Sequence, residues 1–272
     1  MDYKFFEKTA ADMRVGIIKA ITAAKSGHPG GSLSAADIIT ALYFKEMNVD
    51  PANPKMADRD KLILSKGHIA PAQYAALALK GFFPKEDIME LRKIGSHFQG
   101  HPNMEKIPGV EMSTGSLGQG ISAAVGMALA NKMDKNPGRI YAILGDGELQ
   151  EGLVWEAAMA AAHYDLDNLV AIVDNNGLQI DGKNDDVMAV NPITDKFAAF
   201  GWNVIAIDGH SFEEIFAAFD AARACKGKPT AIIAKTNKGR GVSFMQDNPD
   251  WHGKAPSVEE AEKAIAELGG EF

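Results

Sequence analysis

Asp146 and Asn176 are the residues whose type and spacing most clearly suggest chemistry in this sequence. Asp146 lies in the turn Gly145-Asp146-Gly147, and Asn176 lies thirty residues further along the chain, directly after Asn175. A carboxylate, a neutral amide oxygen and adjacent glycines suit a Mg²⁺ ion that carries a diphosphate, because Mg²⁺ prefers hard oxygen ligands and usually shares them with phosphate oxygens.

The segments around these two residues predict how they are positioned. Apolar runs at 139–144 and 169–173 predict buried strands, and 150–164 between them has the pattern of a helix. A helix of about 15 residues spans roughly 22 Å, which is close to the length of a six-residue strand. The two strands should therefore be parallel neighbours joined by a right-handed crossover. Asp146 and Asn176 would then lie at the carboxyl ends of parallel strands, where ligands bind in open α/β sheets.

The rest of the chain continues this alternation of strands and helices. It predicts an α/β fold with a doubly wound, mostly parallel sheet flanked by helices, in one diphosphate- and metal-binding domain over residues 1–272. Further strands are expected at 62–65, 203–207 and 230–235. Helices are expected at 5–25, from a cap at Ser34 to about 47, and at 70–80, 85–94, 118–134, 211–224 and 258–268. The segments 48–60, 96–116 and 236–256 are predicted to be loops.

Composition narrows the class of protein. The chain has 272 residues, of which 46% are apolar and 24% charged, as in an ordinary globular protein. A net charge of −8 disfavours a nucleic-acid partner. No apolar run reaches the ~20 residues of a membrane span, and Asp2, Glu7 and Asp12 argue against a signal or transit peptide. The single cysteine, Cys225, fits a reducing compartment. We therefore expect a cytoplasmic protein without a membrane partner.

Four histidines lie beside glycines in predicted loops: His28, His68, His101 and His252. A lone histidine in a loop is usually a solvated or satisfied polar residue, but four in the same context suggest a common site. Imidazoles there could bind phosphate oxygens or move protons near neutral pH. The remaining histidines lack this context and are interpreted as ordinary polar residues: His97, His163 and His210.

Three glycine-rich or basic segments allow more than one interpretation. Residues 115–120 could be a phosphate loop or a flexible helix entry. Residues 177–183 have the Walker A spacing, but Asn184 replaces the required Ser or Thr and Asp181 adds a negative charge, so a P-loop is disfavoured. Lys235, Lys238 and Arg240 could neutralise a diphosphate or form a solvated basic loop.

Seven motifs, in this order, resemble the thiamine diphosphate-binding half of transketolases, and they cover nearly the whole chain. They are Ser26-Gly27-His28-Pro29-Gly30, Ser65-Lys66-Gly67-His68, Gly100-His101-Pro102, residues 113–120, Gly145-Asp146-Gly147 with Glu151, Asp174-Asn175-Asn176, and Trp251-His252-Gly253.

The resemblance implies a cofactor, a metal and a role for each matching residue. Mg²⁺, with Ca²⁺ or Mn²⁺ as substitutes, would be bound by Asp146, Asn176 and the backbone oxygen of Leu178. Thiamine diphosphate would contact His68, Gly115, Ser116, Leu117, Gly147, Asn176, Lys238 and His252. The residues facing the ketose donor, which would stabilise an oxyanion and move protons, would be His28, His101 and His252. Glu151 would lie at a dimer contact. Gly31 departs from family members that have a polar cofactor contact at this position.

The resemblance also implies an activity and a partner. Transketolases transfer a two-carbon ketol unit from a ketose phosphate to an aldose phosphate. The motifs of the pyrimidine-binding domain, including its catalytic glutamate and the residues that grip the sugar phosphate, are not in this sequence. We therefore expect the N-terminal subunit of a split transketolase, active only with a separate C-terminal subunit, in an α2β2 assembly that acts on sugar phosphates.

Two alternatives remain open from the sequence. The chain could be a subunit of another thiamine diphosphate enzyme that acts on a different ketose or on dihydroxyacetone. It could also be a non-enzymatic protein, cofactor-binding or regulatory, that never meets a partner chain.

Overall fold

A sheet of five parallel strands organises residues 2–272, the part of the chain that this computed structural model describes. The strands lie in the order β1-β2-β3-β7-β6, and β4 and β5 form a separate antiparallel hairpin. Their bounds are β1 Lys61–Leu64, β2 Ile140–Gly145, β3 Leu169–Asn175, β4 Leu178–Gln179, β5 Gly182–Lys183, β6 Asn203–Asp208 and β7 Thr230–Lys235.

Helices cover the sheet. The α-helices are α1 Tyr3–Ala24, α2 Pro29–Ser34, α3 Ala36–Ala41, α4 Ala70–Lys80, α5 Gln119–Met133, α6 Gly152–His163, α7 Asn184–Val187, α8 Ile193–Ala199, α9 Phe212–Ala224 and α10 Val258–Leu268. Short 3₁₀ helices lie at Gly67–Ile69, Lys85–Glu90, Gly147–Gln150 and Pro249–Trp251, and a π-helix lies at Leu42–Glu46. None of the helices described here is long and apolar enough to cross a membrane.

Both faces of the sheet are buried, which explains why its strands are almost continuously apolar. Along β2, Tyr141 and Ile143 pack into the core beneath α1, α4 and α9, whereas Ala142 and Leu144 pack into the core beneath α5 and α6. This arrangement confirms the predicted doubly wound α/β fold.

The predicted parallel pairing of β2 and β3 is confirmed. The two strands are parallel, with Ile140 opposite Leu169 and Gly145 opposite Asp174. Asp146 therefore leaves β2 beside the end of β3, and its backbone N–H donates to the Asp174 carbonyl oxygen at 3.3 Å. The strand ends bring the segments of Asp146 and Asn176 together, as expected from their spacing.

The expected helix cap at Ser34 is wrong. Pro29 begins α2 at once, so Ser34 is the last residue of that helix, and α3 begins two residues later. The Ser34 hydroxyl donates to the buried Asp174 carboxylate, and its oxygen also lies 3.0 Å from the Gly31 carbonyl oxygen. A contact with a residue so distant in the sequence overrides the local capping preference of serine.

Other predicted helices are shorter than expected, or were not expected at all. Segment 85–94 forms only the 3₁₀ helix Lys85–Glu90, because Arg92 adopts a left-handed φ of 59° that ends it. Segment 150–164 becomes an α-helix only at Gly152, since the Glu148 carboxylate accepts from the Gly145 N–H at 3.0 Å and holds a 3₁₀ turn before it. Four short elements between residues 178 and 199 were not predicted: β4, β5, α7 and α8.

Two glycines of α5 provide a matched test of how closely this helix packs. A Cβ at Gly120 would lie 2.5 Å from Ser65 Cα, whereas a Cβ at the exposed Gly126 would meet no atom of residues 2–272 within 4 Å. We predict that Gly120→Ala lowers the free energy of unfolding by about 1–3 kcal/mol through overpacking. Gly126→Ala should raise it by up to about 1 kcal/mol, because alanine is the better helix former. Urea unfolding of both variants tests this, and equal effects would contradict the packing described.

Candidate active site

A cavity of about 320 Å³ lies where β1, β2, β3 and β7 end. Its wall includes nearly every residue that the sequence singled out: His28, Gly31, His68, His101, Gly115, Leu117, Asp146, Gly147, Glu151, Asn176, Leu178, Lys238 and His252. These residues come from loops spread over more than 200 positions of the chain, and the parallel sheet gathers them at one edge.

Asp146 is held rigidly at the base of the cavity. Its carboxylate accepts from the backbone N–H of Gly147 at 2.8 Å and from that of Gly177 at 2.5 Å. Only 2% of the residue is exposed. Burial raises the pKa of this carboxyl, and the two backbone donors oppose the rise. A positive charge beside it would favour the ionised form further.

Asn176 and Leu178 flank Gly177, whose backbone N–H donates to the Asp146 carboxylate. The Asn176 amide donates to Asp174 at 3.3 Å, so its oxygen is left to accept from the Leu178 N–H at 3.1 Å. The Leu178 carbonyl oxygen accepts from Lys238 Nζ at 3.1 Å. One carboxylate, one amide oxygen and one carbonyl oxygen form a hard donor set that fits Mg²⁺ when phosphate oxygens complete it. Within residues 2–272 no cluster of three or more His, Cys, Asp or Glu side chains suited to a metal was found.

Asp174 lies behind this donor set and is fully buried. Its carboxylate forms an ion pair with Lys66 and accepts hydrogen bonds from Ser34 and Thr236. Burial alone would raise the pKa of Asp174, but the Lys66 ammonium and the hydroxyl donors outweigh burial and hold the pKa below its ordinary value. Asp174 therefore stays ionised and fixes the direction in which the Asn176 amide points.

Three imidazoles face one another in the cavity. The ring centroids of His28, His68 and His252 are 5.1–5.3 Å apart. His28 Nδ1 is buried, and no hydrogen-bond partner for it exists within residues 2–272. A buried ring nitrogen without a partner in the protein is suited to a polar ligand.

Burial and neighbouring cations keep these rings neutral. The pKa of His28 is lowered to about 4 by burial and then by Arg92, and that of His252 to about 3 by burial and then by Lys238. The pKa of His68 is also well below its ordinary value, chiefly through burial and secondarily through Lys66. Neutral imidazole can donate through one nitrogen and accept through the other.

Lys238 is the basic residue of its loop that faces the cavity. Its Nζ lies 3.0 Å from His252 Nδ1, and burial, followed by repulsion from Lys66, lowers its pKa to about 8. The other two basic residues of this segment, Lys235 and Arg240, do not line the main cavity. Lys235 is exposed and lines a smaller neighbouring cavity with Asp146, and Arg240 lines neither cavity.

Ser116 stands apart from the other predicted contacts. It lines a neighbouring open depression of about 620 Å³, which shares His101 and Gly115 with the main cavity. A Cβ at Gly115 would lie 3.0 Å from His101 Cδ2, so this glycine lets the backbone approach the ring closely.

Some cavity residues were not predicted as site residues. They include Lys66, Glu148, Gln150, Gln179 and Ile180. Glu148 is 2% exposed and accepts from Ser65 and from the Gly118 N–H, which joins the ends of β1 and β2 to the start of α5. A signal existed for two of them, since Lys66 directly precedes Gly67-His68 and Glu148 directly follows Gly145-Asp146-Gly147.

The three histidines predicted to be ordinary lie outside the cavity wall. His97 and His163 are exposed. His210 lies 2.7 Å from Asp37 through Nδ1 and accepts from the Asn237 N–H at 2.9 Å through Nε2, so its role is to hold the loop that carries Lys238.

Comparison with known proteins identifies the class that this fold and cavity define. The sequence profile described as "Transketolase, thiamine diphosphate binding domain" matches residues 6–271, and the chain belongs to this family. The resemblance seen in its motifs is thereby confirmed.

Particular relatives are named as parts of transketolases. The chain is 49% identical, over 89% of its length and 88% of the relative's, to a subunit of the 6-deoxy-6-sulfo-D-fructose transketolase of Clostridium sp. strain MSTE9. It is 42% identical, over 98% of its length and 95% of the relative's, to one of the subunits of the apulose-4-phosphate transketolase of Phocaeicola vulgatus.

Solved transketolases share the fold. The transketolase of Leishmania mexicana matches 98% of this chain with a TM-score of 0.93 at 33% identity. The chain covers 41% of that protein's length. The likeness therefore concerns the cofactor-binding part of a larger enzyme.

The lowered imidazole pKa values predict how stability depends on pH. His28 and His252 have folded-state pKa values of about 4 and 3, below the ~6.5 of an unfolded chain. Between the folded-state and unfolded-state pKa values, the unfolded chain therefore binds more protons than the folded chain. The contribution of the two neutral histidines to stability is present above pH ~6.5 and is lost as the pH falls toward 4. The slope of unfolding free energy against pH should be shallower in the double variant His28→Gln/His252→Gln. Urea unfolding between pH 4 and 8 measures it, with His163→Gln as the matched control; an unchanged slope in the double variant would show that these rings are not held neutral.

Proposed function

We propose that this chain is the N-terminal, diphosphate-binding subunit of a two-chain transketolase. In this proposal residues 1–272 form one domain that binds thiamine diphosphate and Mg²⁺. The enzyme transfers a two-carbon ketol unit from a ketose phosphate to an aldose phosphate. The observation that carries the proposal is the cavity in which Asp146, Asn176 and the Leu178 carbonyl adjoin three neutral imidazoles.

The relatives support the two-chain arrangement. Both relatives that are named as subunits match this chain over most of their own length. The larger transketolases are covered only in part. A separate partner that supplies the pyrimidine-binding half, in an assembly with two copies of each chain, agrees with both facts.

Each group in the cavity has a chemical task in this proposal. Asp146, Asn176 and the Leu178 carbonyl hold the metal, and Lys238, His68 and the backbone at Gly115, Leu117 and Gly147 bind the cofactor; Ser116, beside Gly115, does so from the neighbouring depression. Thiamine diphosphate, when bound, supplies the nucleophilic carbon and the electron sink for breaking a carbon–carbon bond. His28, His101 and His252 orient the ketose, donate hydrogen bonds to the oxygen that develops negative charge, and move protons to and from its hydroxyl groups.

The identity of the ketose stays open within this proposal. One relative is named for 6-deoxy-6-sulfo-D-fructose and another for apulose-4-phosphate. A panel of donors that contains these two compounds, xylulose 5-phosphate and dihydroxyacetone separates the candidates, because each differs at the end of the sugar remote from the reacting carbonyl.

The proposal predicts that ketol transfer requires a separate partner chain. The purified chain alone should show no ketol transfer to ribose 5-phosphate, because no glutamate here belongs to the motif that activates the cofactor. Adding a polypeptide that carries the pyrimidine-binding half should restore turnover. Coupled assays over the donor panel, with and without this polypeptide, test the proposal, and robust turnover by the chain alone would refute it.

The second prediction concerns the metal. Asp146→Asn keeps the shape of the side chain but removes its charge, and Asn176→Ala removes one oxygen. Each should weaken Mg²⁺-dependent thiamine diphosphate binding on the order of 10²-fold, since even indirect partners of a metal ligand cost 10–100-fold. Calorimetry on the assembled enzyme measures the affinity. Asp186→Ala, at an exposed carboxylate of α7, is the control for loss of charge; near-wild-type affinity in both site variants would disprove the metal assignment.

A further inference from the structure

Arg92 is a cation close to the cavity. The sequence motifs do not include it, and it has no task in the proposed mechanism. It follows the 3₁₀ helix Lys85–Glu90 and adopts a left-handed φ of 59°. This conformation costs a non-glycine residue on the order of 1 kcal/mol or more. The Arg92 N–H donates to the Phe98 carbonyl oxygen at 2.7 Å, which holds the backbone in it.

The strained backbone directs the Arg92 side chain onto the loop of His101. The guanidinium packs against Gly100: a Cβ there would lie 2.4 Å from Arg92 Cζ and 2.6 Å from Nη2. Gly100 directly precedes His101, whose ring packs against Gly115 on its other side. The same loop is fixed by the Tyr74 hydroxyl, which lies 3.0 Å from the carbonyl oxygens of Gln99 and His101. The guanidinium is therefore part of the support beneath His101.

The charge of Arg92 is not compensated. No carboxylate lies within 4.0 Å of it in the described part of the chain. Its Nε is buried and has no hydrogen-bond partner there. A buried polar atom without a partner costs free energy, and such a group beside a cavity is a candidate for a functional role.

The side chains that face His28 and His101 are cationic or neutral. His28 is faced by Arg92, His101, Lys238, His68 and His252, and His101 by Arg92. The carboxylates of the cavity wall, Asp146, Glu148 and Glu151, are not among the groups that set either pKa. Burial lowers both pKa values first, and Arg92 is the next largest cause for both.

We propose that Arg92 is a positioning residue for ketol transfer: its guanidinium packs on Gly100, supports the loop of His101 and places there a positive charge that has no carboxylate partner within residues 2–272. A positive charge at this place disfavours protonation of the neighbouring imidazoles. Neutral rings can accept a proton from a sugar hydroxyl, which imidazolium cannot do. The catalytic part of this inference rests on the proposed function. Its electrostatic part concerns the chain alone.

The test separates these two parts. Arg92→Gln removes the charge, and Arg92→Gly removes it while relieving the left-handed φ, so it keeps the test decisive if the first variant folds poorly. Arg92→Lys retains the charge. Lys93→Gln removes the neighbouring positive charge, which is exposed and paired with Glu90, and serves as the matched control.

NMR titration of the imidazoles in the purified chain gives the first result. The protonation midpoints of His28 and His101 should rise by about half a pH unit or more in Arg92→Gln and Arg92→Gly. They should stay at the wild-type values in Arg92→Lys and Lys93→Gln. Unchanged midpoints in a folded charge-removing variant, or equal shifts in Lys93→Gln, would overturn the proposal.

The pH profile of ketol transfer with the partner chain gives the second result. The acid limb of kcat/KM should move to higher pH in Arg92→Gln, which a general loss of structure would not produce. Weaker support of His101 should also lower the rate at every pH, so a lowered profile of unchanged shape would overturn the catalytic part. Shifted imidazole midpoints in a chain that never supports ketol transfer would refute the proposed function and leave the electrostatic role of Arg92 standing.

Discussion

The buried ion pair between Lys66 and Asp174 is the constraint on which the site depends. Both side chains are almost completely excluded from solvent, and removing such ions from water costs several kcal/mol each unless they are paired and hydrogen-bonded. Ser34 and Thr236 complete the partners of Asp174. The pair therefore ties α2 to the ends of β1, β3 and β7, and no one of these segments can move without leaving a buried charge unsatisfied. The Asn176 amide donates to Asp174, so the ion pair also sets the orientation of this amide.

The cavity opposes the charge of the molecule as a whole. The chain carries a net charge of −8, yet Lys66, Lys238 and four imidazoles meet in one cavity, beside the carboxylates Asp146, Glu148 and Glu151. Burial lowers the pKa of Lys238 and that of His252, and repulsion from neighbouring cations lowers both further. A diphosphate would relieve this repulsion, and the free energy released would contribute to its binding.

The sequence predicts the central fold well because that fold depends on local patterns. Strands β2 and β3 are buried on both faces, so their apolar runs are visible in the sequence, and the polar residues that follow them mark the site. What could not be predicted depends on distant contacts. Ser34 binds Asp174, 140 positions away, instead of capping a helix, and Lys66 pairs with Asp174 across 108 positions. The elements between residues 178 and 199 are too short to show periodicity. Arg92 gave no signal, because the role proposed for it depends on an unusual φ and on an Nε that has no partner within residues 2–272.

The strand order has a consequence for how the chain acquires its structure during synthesis. In the described part of the chain, strand β6 pairs with β7 alone, and β7 lies between β6 and β3. Emerging from the ribosome, β6 therefore has no sheet neighbour, and the edge of β3 remains open until Thr230–Lys235 is available. Such an edge is a template for pairing with other chains, and sheets that wait for distant strands fold slowly. Because β7 lies inside the sheet, between β3 and β6, the nascent chain can complete the sheet only after β7 has been synthesised.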